Sequence, residues 1–136
     1  MIALDTRVCV ELLRGTSLKA GRRLLTADPD QVRIPTVVAA ELLFAARRLG
    51  SAKALDAVRG LIDGIDAAPF DASAAEHHAA VRQALREAGT PIGPNDLLTA
   101  ATALSLGATL VTTDASEFAG VPGLIVEDWS DEPRAS

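Results

Sequence analysis

Short apolar runs separated by much longer segments of helical periodicity leave this chain few ways to fold. MIAL at the N-terminus, VRIP at 32–35, ATLVT at 108–112 and GLIVE at 123–127 have the length of buried strands, and a weaker run near 65–69 makes a fifth. Between them, helical spacing covers about 7–14, 17–26, 36–49, 52–63, 73–88 and 95–106. Strands that alternate with helices in this way form a parallel sheet, because a parallel connection needs roughly a dozen residues and a helix supplies them. Gly50 with Ser51, Gly89 and Gly107 punctuate the helices, and 115–118 reads as a single turn. The expected organisation is one α/β domain over 1–129 and a polar C-terminal tail at 130–136 that frays.

A chain of 136 residues buries about two-thirds of the surface it would expose unfolded. Its 49% hydrophobic content, mostly Ala, Leu and Val with few aromatics, suits helices packed closely on a small sheet and excludes a disordered chain. The single cysteine, Cys9, rules out an intrachain disulfide and points to a reducing compartment. It lies among Val8, Leu12 and Leu13 on a helical stripe, where a core thiol is expected rather than a nucleophile. No apolar run reaches the roughly 18 residues of a membrane span, and Asp5 interrupts the N-terminus too early for a signal peptide. The expected setting is the cytoplasm, with no membrane partner. A net charge of −5 argues against broad affinity for phosphates. Arg14, Lys19, Arg22 and Arg23, with Arg47 and Arg48, still allow a local basic rim, although solvated helix surface is the simpler reading.

Four acids stand at positions where chemistry is done in such folds. Open parallel sheets bind ligands beyond the carboxyl ends of their strands, at the point where strand order reverses. Asp5 closes the first strand and Asp114 follows ATLVT, so neighbouring strands would bring them to one rim. Asp96, in IGPNDLLTA at 92–100, enters the helix that leads into ATLVT. Each of these three has a plain alternative as a helix cap: Asp5 for the first helix, Asp96 alone or behind an Asn95 cap, and Asp114 with Glu117 as a capping box. Glu41 differs. It is the only charged residue in the eleven from Thr36 to Ala46, and its neighbours at three and four positions, Val37, Val38, Phe44 and Ala45, offer no cation. A helix apolar all round is a buried one, so Glu41 requires a partner or a raised pKa. If the four share one site, each pair about 5 Å apart repels by roughly 3 kcal/mol at an effective dielectric near 20. A cation must then be present, and all-oxygen ligands indicate a hard ion such as Mg²⁺ or Mn²⁺.

LDTRVCVELLRG at 4–15, TVVAAEL at 36–42, GPNDLLTAATALSLGATLVTTDASEF at 93–118 and VPGLIVEDW at 121–129 together resemble a PIN-domain ribonuclease. More narrowly, they resemble a VapC-type toxin of a bacterial toxin–antitoxin pair, over nearly the whole chain. The resemblance implies a PIN-like fold, with a parallel five-stranded sheet of order 3-2-1-4-5 flanked by helices. It implies that Asp5, Glu41, Asp96 and Asp114 are the catalytic, metal-holding quartet, with Thr112 as the supporting hydroxyl. Further implications are Mg²⁺ (or Mn²⁺) as cofactor, RNA as substrate, a homodimer, and a cognate VapB-type antitoxin as partner. In the implied reaction the acids hold one or two ions and an activated water attacks the phosphodiester in line, leaving 5′-phosphate and 3′-hydroxyl ends.

One position departs from the family pattern. Asn or Ser commonly stands two residues after the first Asp, whereas this chain has Arg7. Arg7 is expected either to hold a substrate phosphate or to point to solvent. The same acids would also serve a small Mg²⁺-dependent phosphatase, or a non-catalytic module that holds a structural ion or a partner's Arg. His77 and His78, about 100° apart on a helix, are poorly placed to share a metal. Trp129 is expected to pack against the sheet edge.

Overall fold

The structure, a computed structural model, describes residues 1–131. Elements follow in the order β1 (Ile2–Leu4), α1 (Thr6–Arg14), α2 (Leu18–Thr26), β2 (Val32–Pro35), α3 (Thr36–Leu49), α4 (Ala52–Gly64), β3 (Ala67–Ala68), α5 (Ala72–Ala88), α6 (Pro94–Leu106), β4 (Thr109–Thr112) and β5 (Val126–Asp128). Short 3-10 turns at Pro29–Gln31 and Ala115–Phe118 complete the path. All pairings are parallel, and the sheet order is β3-β2-β1-β4-β5. The chain moves outward from β1 to β2 and β3 on one side, then returns to place β4 and β5 on the other. Strand order therefore reverses between β1 and β4, and the crevice of such a sheet opens at their carboxyl ends.

Alternation along the central strands divides the core into two layers. Leu4 and Val111 face one side, where they pack with Val8, Ile34, Val38, Leu42 and Val58 under α1, α3 and α4. Ala3 and Leu110 face the other, against Val81 and Leu85 of α5 and Leu97, Ala100 and Ala103 of α6. Each fully buried Val or Leu contributes about 1.5–3 kcal/mol relative to exposure. Cys9 and Trp129 both belong to the first layer, and Trp129, buried there, directly follows the edge strand β5.

The helix that is buried nearly all round is α6, whose Leu97, Thr99, Ala100, Ala101, Thr102 and Ala103 are enclosed. Small side chains let its backbone approach the sheet. The sequence assigned that property to α3, and there the structure corrects it. α3 leaves Phe44 62% and Leu49 74% exposed, so an uninterrupted apolar sequence has here produced an uncovered face. The last strand is also shorter than GLIVE suggests. Pro122 and Gly123, the latter at φ 76°, form a turn in which Leu124 N–H donates to Val121 C=O at 3.4 Å, and this delays pairing until Val126. β3 is only two residues of the expected 65–69 run.

The start of the polar tail is tied down. Asp131 Oδ1 accepts from the Lys19 backbone N–H at 3.0 Å and from Ser17 Oγ at 3.4 Å, at the beginning of α2. Residues 132–136, the rest of the segment expected to fray, lie outside the described residues. Among the described residues no helix is long and apolar enough to cross a membrane.

Candidate active site

Asp5 leaves the end of β1 and enters α1 with only 1% of its surface exposed. Its Oδ1 accepts from Val8 N–H at 2.9 Å, which caps the helix. Its Oδ2 faces the other way and accepts from Thr112 Oγ1 at 2.6 Å and from Arg7 Nη1 at 3.2 Å. Capping and a place in the site are thus not alternatives for Asp5, because one oxygen serves each. Burial pushes its pKa above the usual carboxylate value, while Thr112, Val8 N–H and Arg7 oppose the rise by favouring the ionised form.

Thr112, fully buried at the end of β4, connects two of the acids. Its hydroxyl donates to Asp5 and accepts from the Asp114 backbone N–H at 3.0 Å. Asp114 is exposed, and its Oδ1 accepts from Ser116 Oγ at 2.7 Å. Its side chain makes no capping hydrogen bond, so the capping box with Glu117 does not form.

Asp96 lies in the first turn of α6, three residues beyond the Gly93 cap and with Pro94 opening the helix. Neither Asp96 nor Asn95 is the cap. Its carboxylate instead receives a forked pair of bonds from Arg7, Nη1 to Oδ1 at 3.2 Å and Nη2 to Oδ2 at 3.1 Å. Arg7 meets Asp5 through that same Nη1 and lies with Cζ 5.7 Å from the Phe118 ring centroid. The guanidinium does not simply point to solvent but is engaged by protein acids. It bridges Asp5 and Asp96, and its bond to Asp96 spans 89 residues of sequence.

Glu41 is half-buried and accepts from Thr6 Oγ1 at 2.7 Å. The partner it required is this hydroxyl, next in sequence to Asp5. Thr6 was missed because its role depends on α1 and α3 meeting, although its position inside LDTR was a signal. The arrangement joins Asp5 and Asp96 through one guanidinium, links Asp5 to the Asp114 backbone through Thr112, and brings Glu41 to the first turn of α1. Among the described residues, no group of three or more His, Cys, Asp and Glu side chains is gathered tightly enough to hold a metal. Cys9 sits one turn from Asp5, where burial first and the Asp5 charge second push its thiol pKa far upward. It is a core thiol and takes no part in the chemistry.

The PIN domain family description matches residues 2–124, from the first strand through the turn that precedes the last. The chain belongs to the PIN-domain family. Within the PIN family it is 32% identical over 128 residues to the tRNA(fMet)-specific endonuclease VapC of Shigella flexneri, covering 93% of this chain and 96% of that one. It is 32% identical over 131 residues to Ribonuclease VapC2 of Rickettsia felis, with the same coverage. A chain in the crystal structure of DNA-bound VapBC from Salmonella typhimurium shares its fold with a TM-score of 0.88, at 30% identity, over 94% of this chain and 97% of that chain. The PIN sheet order expected from the sequence is the one the structure has.

Proposed function

We propose that this chain is a divalent-metal-dependent endoribonuclease, the toxin of a toxin–antitoxin pair. The observation that carries the reading is the convergence of Asp5 and Asp96 on a single cationic group at the switch point of the sheet. Two carboxylates around one positive centre suit Mg²⁺ or Mn²⁺, hard ions that bind one or two protein carboxylates and keep water in their remaining positions. The donor set of Asp5 and Asp96 therefore fits such an ion. Bound there, the ion would polarise a phosphodiester and lower the pKa of water.

The chain's own residues do the rest. Val8 N–H and Thr112 Oγ1 favour the ionised form of the buried Asp5 carboxylate against the effect of burial and fix its orientation. Asp96 presents both oxygens from the first turn of α6, where the helix dipole favours negative charge. Glu41, fixed by Thr6, and the exposed Asp114 add acceptors on either side of α1 and β4. Metal-assisted hydrolysis needs no nucleophilic side chain, so water is the attacking group in this reading.

Support for RNA as substrate comes from the relatives, which are named as ribonucleases, one as a tRNA(fMet)-specific endonuclease. Transfer RNA is accordingly the substrate to try first. Support for an antitoxin partner comes from the VapBC complexes among the structural neighbours. A homodimer remains part of the proposal by family likeness. The test is product analysis: the purified protein incubated with tRNA and Mg²⁺ or Mn²⁺ yields fragments with 5′-phosphate and 3′-hydroxyl ends. Release of inorganic phosphate from small phosphomonoesters with tRNA left whole would overturn the reading in favour of a phosphatase.

A further inference from the structure

Arg7 stands where the metal-dependent reading needs a positive ion. Both Nη1 hydrogens are committed, one to Asp5 Oδ2 and one to Asp96 Oδ1, and Nη2 donates to Asp96 Oδ2. Asp5 Oδ1 is occupied by Val8 N–H. Every oxygen of the two carboxylates thus has a protein donor. Helix electrostatics do not explain the placement, since Arg7 lies in the first turn of α1, where the macrodipole disfavours a cation. Its reason for being there is the acid pair, together with the Phe118 ring on which it rests.

We propose that Arg7 is a resident cation that competes with the divalent ion for the Asp5–Asp96 pair. The inference rests on the metal-dependent nuclease reading and names a control built into that site. Asp5 Oδ2 already accepts from both Thr112 and Arg7, so its lone pairs are filled, and a hard divalent ion bonding it at about 2.0–2.1 Å has to take the place of the Arg7 bond. The guanidinium must therefore leave for the ion to enter. It can do so by side-chain rotation alone: the side chain is 34% exposed, and none of its bonds involves the backbone. Where the family commonly has Asn or Ser, a short side chain offers no such competitor, so this chain holds its ion more weakly and is active only at higher metal concentration.

Isothermal titration calorimetry with Mn²⁺, without RNA, on the wild-type chain and on Arg7→Ala, Arg7→Asn and Arg7→Lys tests this. Arg7→Ala and Arg7→Asn are expected to bind Mn²⁺ at least tenfold more tightly than wild type and to gain more melting temperature from it. Arg7→Lys, which keeps the charge but loses the fork, falls between. A measurement on the wild-type chain avoids dependence on variants that fold poorly: NMR of the arginine side-chain N–H groups during Mg²⁺ titration is expected to show the Arg7 signals lose their hydrogen-bonded shift as the ion binds. Equal or weaker Mn²⁺ affinity in Arg7→Ala and Arg7→Asn, an Arg7 that stays bonded in the Mg²⁺-loaded protein, or no metal binding by any variant, overturns the proposal. Because the readout is binding, a chain that binds Mn²⁺ as expected but leaves RNA intact would sink the nuclease reading and not the competition.

Discussion

Thr112 Oγ1 donates to Asp5 Oδ2 across 2.6 Å, joining the ends of the two central strands at the point where strand order reverses. The bond is buried on both sides, and the same hydroxyl receives the Asp114 backbone N–H. A single threonine therefore fixes the orientation of the innermost carboxylate and the path of the loop that carries the next one.

Replacing Thr112 with Val keeps its shape and removes both hydrogen bonds. An unsatisfied buried partner costs about 1–3 kcal/mol; Asp5 Oδ2 keeps its Arg7 donor and the N–H of exposed Asp114 can turn to water, which puts the cost at the lower end of that range. The denaturation midpoint of Thr112→Val is expected to fall accordingly, while Thr112→Ser, which keeps the hydroxyl, loses much less. Equal stability of Thr112→Val and the wild type would mean that the hydroxyl is not supporting Asp5.

Asp96→Asn separates chemistry from fold. Asp96 makes no capping bond, and its ion pair with Arg7 is partly open to solvent, so the stability change is expected to stay within about 1 kcal/mol. Loss of one of two inner carboxylates removes several kcal/mol of transition-state stabilisation, which is a fall of at least about a hundredfold in cleavage rate. Melting curves and cleavage rates on one preparation check both halves.

The raised pKa of Asp5 has a sign that can be measured. A carboxylate whose folded pKa lies above its unfolded value of 3.8 binds its proton more tightly in the native state. Protonation then favours folding, and the contribution is lost as pH rises from 3.8 through the folded pKa. With EDTA present, Asp5→Asn is expected to lose this part of the pH dependence of stability. The same slope in wild type and variant would assign it to other groups.

Cys9 is enclosed, and its thiol is held protonated by burial and by the nearby Asp5. A thiol reagent such as DTNB is expected to leave the native chain unmodified and to react with one equivalent after unfolding. Rapid modification of the native protein would place Cys9 outside the core.

The sheet and most helices were legible in the sequence because strand and helix periods differ and glycines mark the ends, as at Gly89 and Gly107. What was not legible depended on packing or on geometry beyond one element. A largely apolar stretch cannot report which side is covered, so the sequence reads α3 as enclosed, while the small residues of α6 make it the inner helix. GLIVE at 123–127 begins inside the turn formed by Pro122 and Gly123, so its first residues belong to the turn and the strand is Val126–Asp128. Among the candidate site residues, the placement of Asp5 and Asp114 beyond neighbouring strand ends follows from the apolar runs, whereas Thr112 enters through the family resemblance. Thr6 as the partner of Glu41, and Arg7 as the bridge between Asp5 and Asp96, follow only from bonds spanning 35 and 89 residues.

The most direct test of the central claim is the rate of tRNA cleavage by the purified chain with Mn²⁺, measured beside excess EDTA and beside Asp5→Ala and Asp96→Asn proteins shown to be folded. The account predicts cutting that requires the metal and is lost in both variants. Cutting that survives EDTA, or that either variant retains at the wild-type rate, would contradict it.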